Sequence, residues 1–110
     1  MTKKTLKNKL DKKWSEKIRS KKFCEVCGKP ANNPHHVCGR KNLALRWDER
    51  NGCLLCFQHH TGGKESAHQD PIFFLNWFKS VRPQDYEYLS RKRTEITHYK
   101  ISDLEELLNE

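Results

Sequence analysis

The chain has 110 residues, of which 33% are charged and only 23 are Leu, Ile, Val or Phe, so a single domain with a thin apolar core is expected. Such a core calls for a staple, since a chain of this size buries only about two-thirds of its unfolded surface; five Cys and six His can supply one. No apolar run approaches the roughly 18 residues of a membrane span, and MTKKTLKNKLDKKW has no apolar stretch of the secretory kind. A cytoplasmic setting is therefore expected. There thiols stay reduced, and clustered Cys, odd in number, read as metal ligands rather than disulfides.

Residues 1–22 hold ten Lys/Arg against Asp11 and Glu16, while the other 88 residues carry twelve charges of each sign. The whole net charge of +8 thus sits in one N-terminal segment. Such a block meets a polyanion, and nucleic acid rewards Lys by counterion release. Leu6, Leu10, Trp14 and Ile18 recur every four residues between the lysines, which predicts a basic amphipathic helix over roughly residues 3–21. The narrow stripe favours packing on the domain that follows over a membrane surface.

Residues 23–60 change character, with all five Cys, four of the six His and three of the five Gly. Turn-like pieces (CGKP, ANNP, RNG) predict a stapled loop and a short β-hairpin, with Val37 and Leu43–Leu45 near strand positions. Beyond Gly62-Gly63, Asp70 can cap and Pro71 open a helix reaching about Val81, with a broad apolar face from Phe74, Leu75, Trp77, Phe78 and Val81. Pro83 breaks it. A second helix is expected around Gln84–Glu95, and a last one from Ser102, where Ser102 and Glu105 form a capping box. No heptad marks a dimer seam. Trp77, Phe78, Tyr86 and Tyr88 could face a second copy in a homodimer, although core packing is their simpler use.

Cys24-x-x-Cys27 lets two thiolates turn onto one ion, and Cys56-x-x-His59 repeats the spacing. Together they supply four ligands for a tetrahedral structural zinc. Cys53-x-x-Cys56 is an equally valid pair, and a four-cysteine site would leave His59 free. His35-His36, Asn51 and His60 lie between and beside these pairs. Taken singly, they could be polar loop residues, a hairpin turn and a helix-start residue.

Jointly, His35-His36, Asn51 and His60, with Cys56 and His59 inside the last interval, resemble the HNH nuclease motif, in which a ββα element wraps one divalent ion. The resemblance implies His35 and His60 as ligands of a catalytic divalent ion (Mg²⁺ or another), His36 as general base and Asn51 as the brace of the hairpin loop. It also places zinc ligands at Cys56 and His59, setting Cys53 aside. His68 could be a third ligand or a phosphate contact, or an ordinary loop histidine. The chemistry suits these groups. A divalent ion offsets charge on a scissile phosphate, and a largely neutral imidazole can take a proton from water. Adjacent strand residues point to opposite faces, so His35 and His36 suit one ligand and one base.

The implied fold is α+β: a basic DNA-binding helix (1–22), a zinc-stapled ββα-metal core (23–68) and a helical C-terminal part (69–110). LKNKLDKKWSEKIRS and LALRWDERNGCLLC are similar to the NinG/Rap family of phage recombination endonucleases, which implies a phage-encoded enzyme cutting branched DNA beside recombination proteins. SAHQDPIFFLNWF looks more like phage HNH proteins linked to DNA packaging, whose partner is a terminase. Lys12, Lys13, Arg19, Arg40, Lys41, Arg46 and Arg50 are expected to grip backbone phosphates, which position rather than specify. A zinc-dependent DNA-binding module without catalysis is the rival from another class.

Overall fold

The computed structural model describes all 110 residues as an α+β domain of four α-helices and one two-stranded sheet. Helix α1 (Lys3–Arg19) begins at Thr2, whose hydroxyl accepts the Thr5 N–H. Its stripe is buried as the period requires. Leu6 and Leu10 pack on Leu104 of the C-terminal helix, while Trp14 and Ile18 pack on Leu54 of the hairpin. At about 1.5–3 kcal/mol for each buried large side chain, this stripe fastens the helix to both partners.

Strands β1 (Asn33–His36) and β2 (Gly52–Leu55) pair antiparallel, with Pro34 opposite Leu54, His35 opposite Cys53 and His36 opposite Gly52. Paired residues share a face. One face, with His36, Gly52 and Leu54, lies under α1. A Cβ on Gly52 would sit 2.2 Å from Ile18 Cδ1 and 3.0 Å from Trp14 Cζ2, so glycine is what lets the helix come this close. The other face, with His35, Cys53 and Leu55, lies against Phe74 and the core that contains Phe78 and Leu89. Covered on both sides, all of β2 is buried.

The strands are not where apolar residues suggested. Val37 lies one residue past β1, with its N–H on the Asn51 carbonyl, and Leu43–Leu45 belong to turns, from which Leu45 enters the core. A single π-helical turn (Gln58–Gly62), not an α-helix, follows the hairpin. Helix α2 (Pro71–Val81) starts at Asp70, which accepts the Phe73 N–H. Pro83 ends α2 and also opens α3 (Pro83–Lys92), because its fixed φ suits a first helical position. That helix stops three residues short of Glu95. Helix α4 (Ile101–Asn109) starts one residue early, because the Asp103 carboxylate accepts the Lys100 N–H at 2.8 Å in place of the expected Ser102–Glu105 box. Phe78 is buried and Trp77, Tyr86 and Tyr88 pack around the same core. No helix is long and apolar enough to cross a membrane.

Candidate functional site

The first cysteine pair sits in a tight knuckle. Gly28 N–H returns to the Cys24 carbonyl, Cys24 N–H reaches the Lys29 carbonyl, and Gly28 takes the positive φ of 77° that closes the loop. Burial pushes the Cys24 thiol up, but N–H groups of Cys56, Cys27 and Val26 aim at its sulfur and bring it below its ordinary value. Glu25, between the cysteines, exchanges backbone and carboxylate hydrogen bonds with Leu54 and so ties the knuckle to β2.

The π-helical turn brings the second pair to this knuckle. Ligand atoms of Cys24, Cys27, Cys56 and His59 all lie within 4.8 Å of one another. Cys27 Sγ is 3.8 Å from Cys56 Sγ, and His59 Nδ1 is 3.2 Å from Cys56 Sγ and 3.8 Å from Cys24 Sγ. Sulfurs bound about 2.3 Å from one tetrahedral ion lie about 3.8 Å apart, so the set fits a zinc ion. Cys53 stands apart, fully buried on β2, where burial and the neighbouring Glu25 push its thiol up. The geometry thus groups His59, and not Cys53, with Cys24, Cys27 and Cys56 in a set that could hold an ion. The fifth cysteine, Cys38, is a half-buried free thiol.

A second cluster forms beside the first, because His59 and His60 are neighbours on one turn that aims them at different places. His35, His60 and His68 bring their ring nitrogens within 4.8 Å of one another. His60 Nε2 and His68 Nε2 are 3.0 Å apart, the spacing of two nitrogens bound at right angles about 2.1 Å from one ion. His68 is carried there by its N–H bond to the His60 carbonyl and by the Ala67 N–H bond to His59. Burial, with His60, His68 and His36 nearby, holds the His35 imidazole down to about 3, and burial with His68 lowers His60. Each of these two rings is therefore mostly neutral at pH 7 and keeps one unprotonated nitrogen. The donors are all imidazole, a set that suits borderline transition ions such as Ni²⁺ or Zn²⁺ better than Mg²⁺.

His36 points to the opposite face, as strand alternation requires, and does not join the cluster. Its ring stacks on Trp14 with centroids 3.8 Å apart and planes 7° from parallel, and its Nε2 lies 2.9 Å from the Arg46 carbonyl. A carbonyl only accepts, so Nε2 carries the proton and Nδ1 keeps the lone pair. Burial, opposed by the Arg46 carbonyl and Asp11, leaves the imidazole below its ordinary value and neutral at pH 7. Asn51, fully buried, spans the loop between the strands. Its Oδ1 accepts the Cys38 N–H at 2.7 Å, and its Nδ2 donates to the carbonyls of Cys38 and Leu45 at 2.9 and 3.1 Å.

The seven cations expected to face phosphates divide into two groups. Lys12, Arg19 and Lys41 are exposed and have no acidic partner, in common with Lys3, Lys4 and Lys9 on α1. The other four have partners within the chain, Arg40 and Arg50 while still exposed. Lys13 donates to the Leu108 and Glu110 carbonyls. Arg40 and Arg46 share Asp11, with Arg46 only 14% exposed. Arg50 pairs with Asp85 and lies over Tyr88. The sequence pattern missed Trp14 as the wall of His36; the stripe announced only that it is buried. Compared with protein families, curated proteins and solved structures, the chain has no match.

Proposed function

We propose that this chain is a metal-dependent endonuclease of the HNH type that hydrolyses DNA phosphodiester bonds. The observation that carries the reading is a strand that turns His35 on one face to meet His60 and His68 and holds His36 on the other face in a fixed tautomer. His35, His60 and His68 would hold a divalent ion, whose chemistry when bound is to offset charge on the scissile phosphate and on the leaving 3′ oxygen. His36, neutral and with its lone pair on Nδ1, takes the proton of the attacking water. Asn51 keeps the loop that presents the Arg46 carbonyl in register with β1. Cys24, Cys27, Cys56 and His59 would hold a structural zinc that pins the π-helical turn, and with it His60, to the knuckle. Exposed cations, Lys12, Arg19 and Lys41 among them, hold backbone phosphates without reading sequence.

The test is conversion of supercoiled plasmid and of a four-way junction by the zinc-loaded chain with Mg²⁺, Mn²⁺, Ni²⁺ or additional Zn²⁺. Cutting that a chelator stops, that a transition ion supports best and that His36→Ala abolishes is the expected result. Salt-sensitive binding without cutting under any metal, or a His36→Ala variant as active as the parent, would overturn the reading in favour of a non-catalytic DNA-binding module.

A further inference from the structure

The inner face of α1 meets the hairpin at one place, the ring of His36. Trp14 lies flat on that ring at 3.8 Å, and its own plane is fixed because Nε1 donates to the Asp48 carbonyl at 2.9 Å. One turn earlier, Asp11 accepts both Arg46 Nε at 2.9 Å and a terminal Arg46 nitrogen at 2.7 Å, and takes the Trp47 indole N–H at 2.8 Å on the same carboxylate. This forked pair is the geometry in which Arg and a carboxylate fix each other's direction. Arg46 is also the residue whose carbonyl receives the His36 Nε2 proton. Two residues three apart on α1 thus control the two degrees of freedom of the imidazole. Trp14 sets its plane. Asp11, through Arg46, sets the carbonyl that decides which nitrogen carries the proton.

We propose that α1, beyond presenting cations outward, is the positioning element of the general base, with Trp14 and Asp11 as positioning residues for His36. This rests on the reading of His36 as the base. A fixed ring matters because a base displaced by about 1 Å can lose some hundredfold in rate. Trp14 as a merely structural residue would need an apolar side chain that fills the space but neither a flat face nor an anchored plane. Asp11 as a merely structural residue would tie α1 to the loop without any effect on the His36 tautomer.

The test uses the zinc-loaded full chain and three variants. Trp14→Leu keeps burial and loses the flat face; Trp14→Phe keeps a flat face; Asp11→Asn loses the forked charge pair at a partly exposed position. The expected result is a kcat about 10–100-fold lower for Trp14→Leu and Asp11→Asn, with KM and metal content unchanged and much of the loss recovered in Trp14→Phe. Imidazole nitrogen chemical shifts give a readout independent of activity: the parent should show His36 protonated at Nε2 alone, and Asp11→Asn a mixture of tautomers. Equal kcat in Trp14→Leu and Trp14→Phe, or an unchanged single tautomer in Asp11→Asn, would overturn the inference. If Trp14→Leu fails to fold, Asp11→Asn decides it alone. If His36→Ala is fully active, the nuclease reading fails, and the nitrogen shifts still judge whether α1 positions the ring.

Discussion

Asn51 offers the sharpest test of how the loop between the strands is held. Truncation by Asn51→Ala would orphan three backbone groups at once: the Cys38 N–H, the Cys38 carbonyl and the Leu45 carbonyl. A buried polar group left unpaired costs about 1–3 kcal/mol. The low end applies here, because the loop can shift toward water, so the three together come to about 3 kcal/mol. That is a large fraction of the roughly 5–15 kcal/mol that holds a domain together. Asn51→Asp separates hydrogen bonding from packing, since it keeps the shape. Its carboxylate can still accept the Cys38 N–H but faces two carbonyl oxygens with nothing to donate, so at neutral pH it should destabilise more than alanine. The assay is urea unfolding followed by tryptophan fluorescence, with zinc held at one saturating concentration so that ligation does not shift between variants. A loss below about 1 kcal/mol for Asn51→Ala, or a milder effect of Asn51→Asp, would refute the brace.

The remaining expectations are simpler. Cys27→Ser should lose tight zinc binding and much of the ordered centre, while Cys53→Ala should keep the full metal content, as atomic absorption on the purified variants would show. Burial pushes the Asp85 carboxyl up, but hydrogen bonds from Arg50 and Arg82 and their charges outweigh it, and it sits below its ordinary value. A carboxyl lowered by folding adds stability that is full above its unfolded value and lost as pH falls through the folded one. The stability difference between the parent and Asp85→Asn should therefore be constant from pH 7 to about 5 and shrink below about 4, measured by thermal melts at each pH. Lys12→Ala and Arg19→Ala should each weaken duplex DNA binding equally across sequences and reduce the slope of log affinity against log salt by about one, in fluorescence anisotropy titrations.

The α1 stripe was legible because four apolar residues at one spacing can point only one way on a helix. The two pairs that could hold a metal were legible because two intervening residues are what a knuckle needs. Strand positions were not. Asn33-Pro34-His35-His36 has little intrinsic β preference, and the pairing is imposed by α1 on one face, Phe74 on the other and Asn51 at the end. Apolar residues drew the expectation to Val37 and Leu43–Leu45 instead. The convergence of His68 with His35 and His60 was offered by the sequence only as one option, since it depends on how the segment after Gly62-Gly63 folds back onto His59 and His60. Arg46 and Arg50 looked like free cations because a sequence displays charges but not their partners. Each partner, Asp11 or Asp85, lies 35 residues away along the chain.

The most direct measurement is the metal count per folded chain by native mass spectrometry after zinc loading and removal of loosely held ions. Two ions are expected in the parent, and one in a His35→Ala, His68→Ala double variant that stays folded. A parent that holds a single ion, or a double variant that still holds two, would contradict the claim that the π-helical turn, with His59 and His60, joins two neighbouring metal sites.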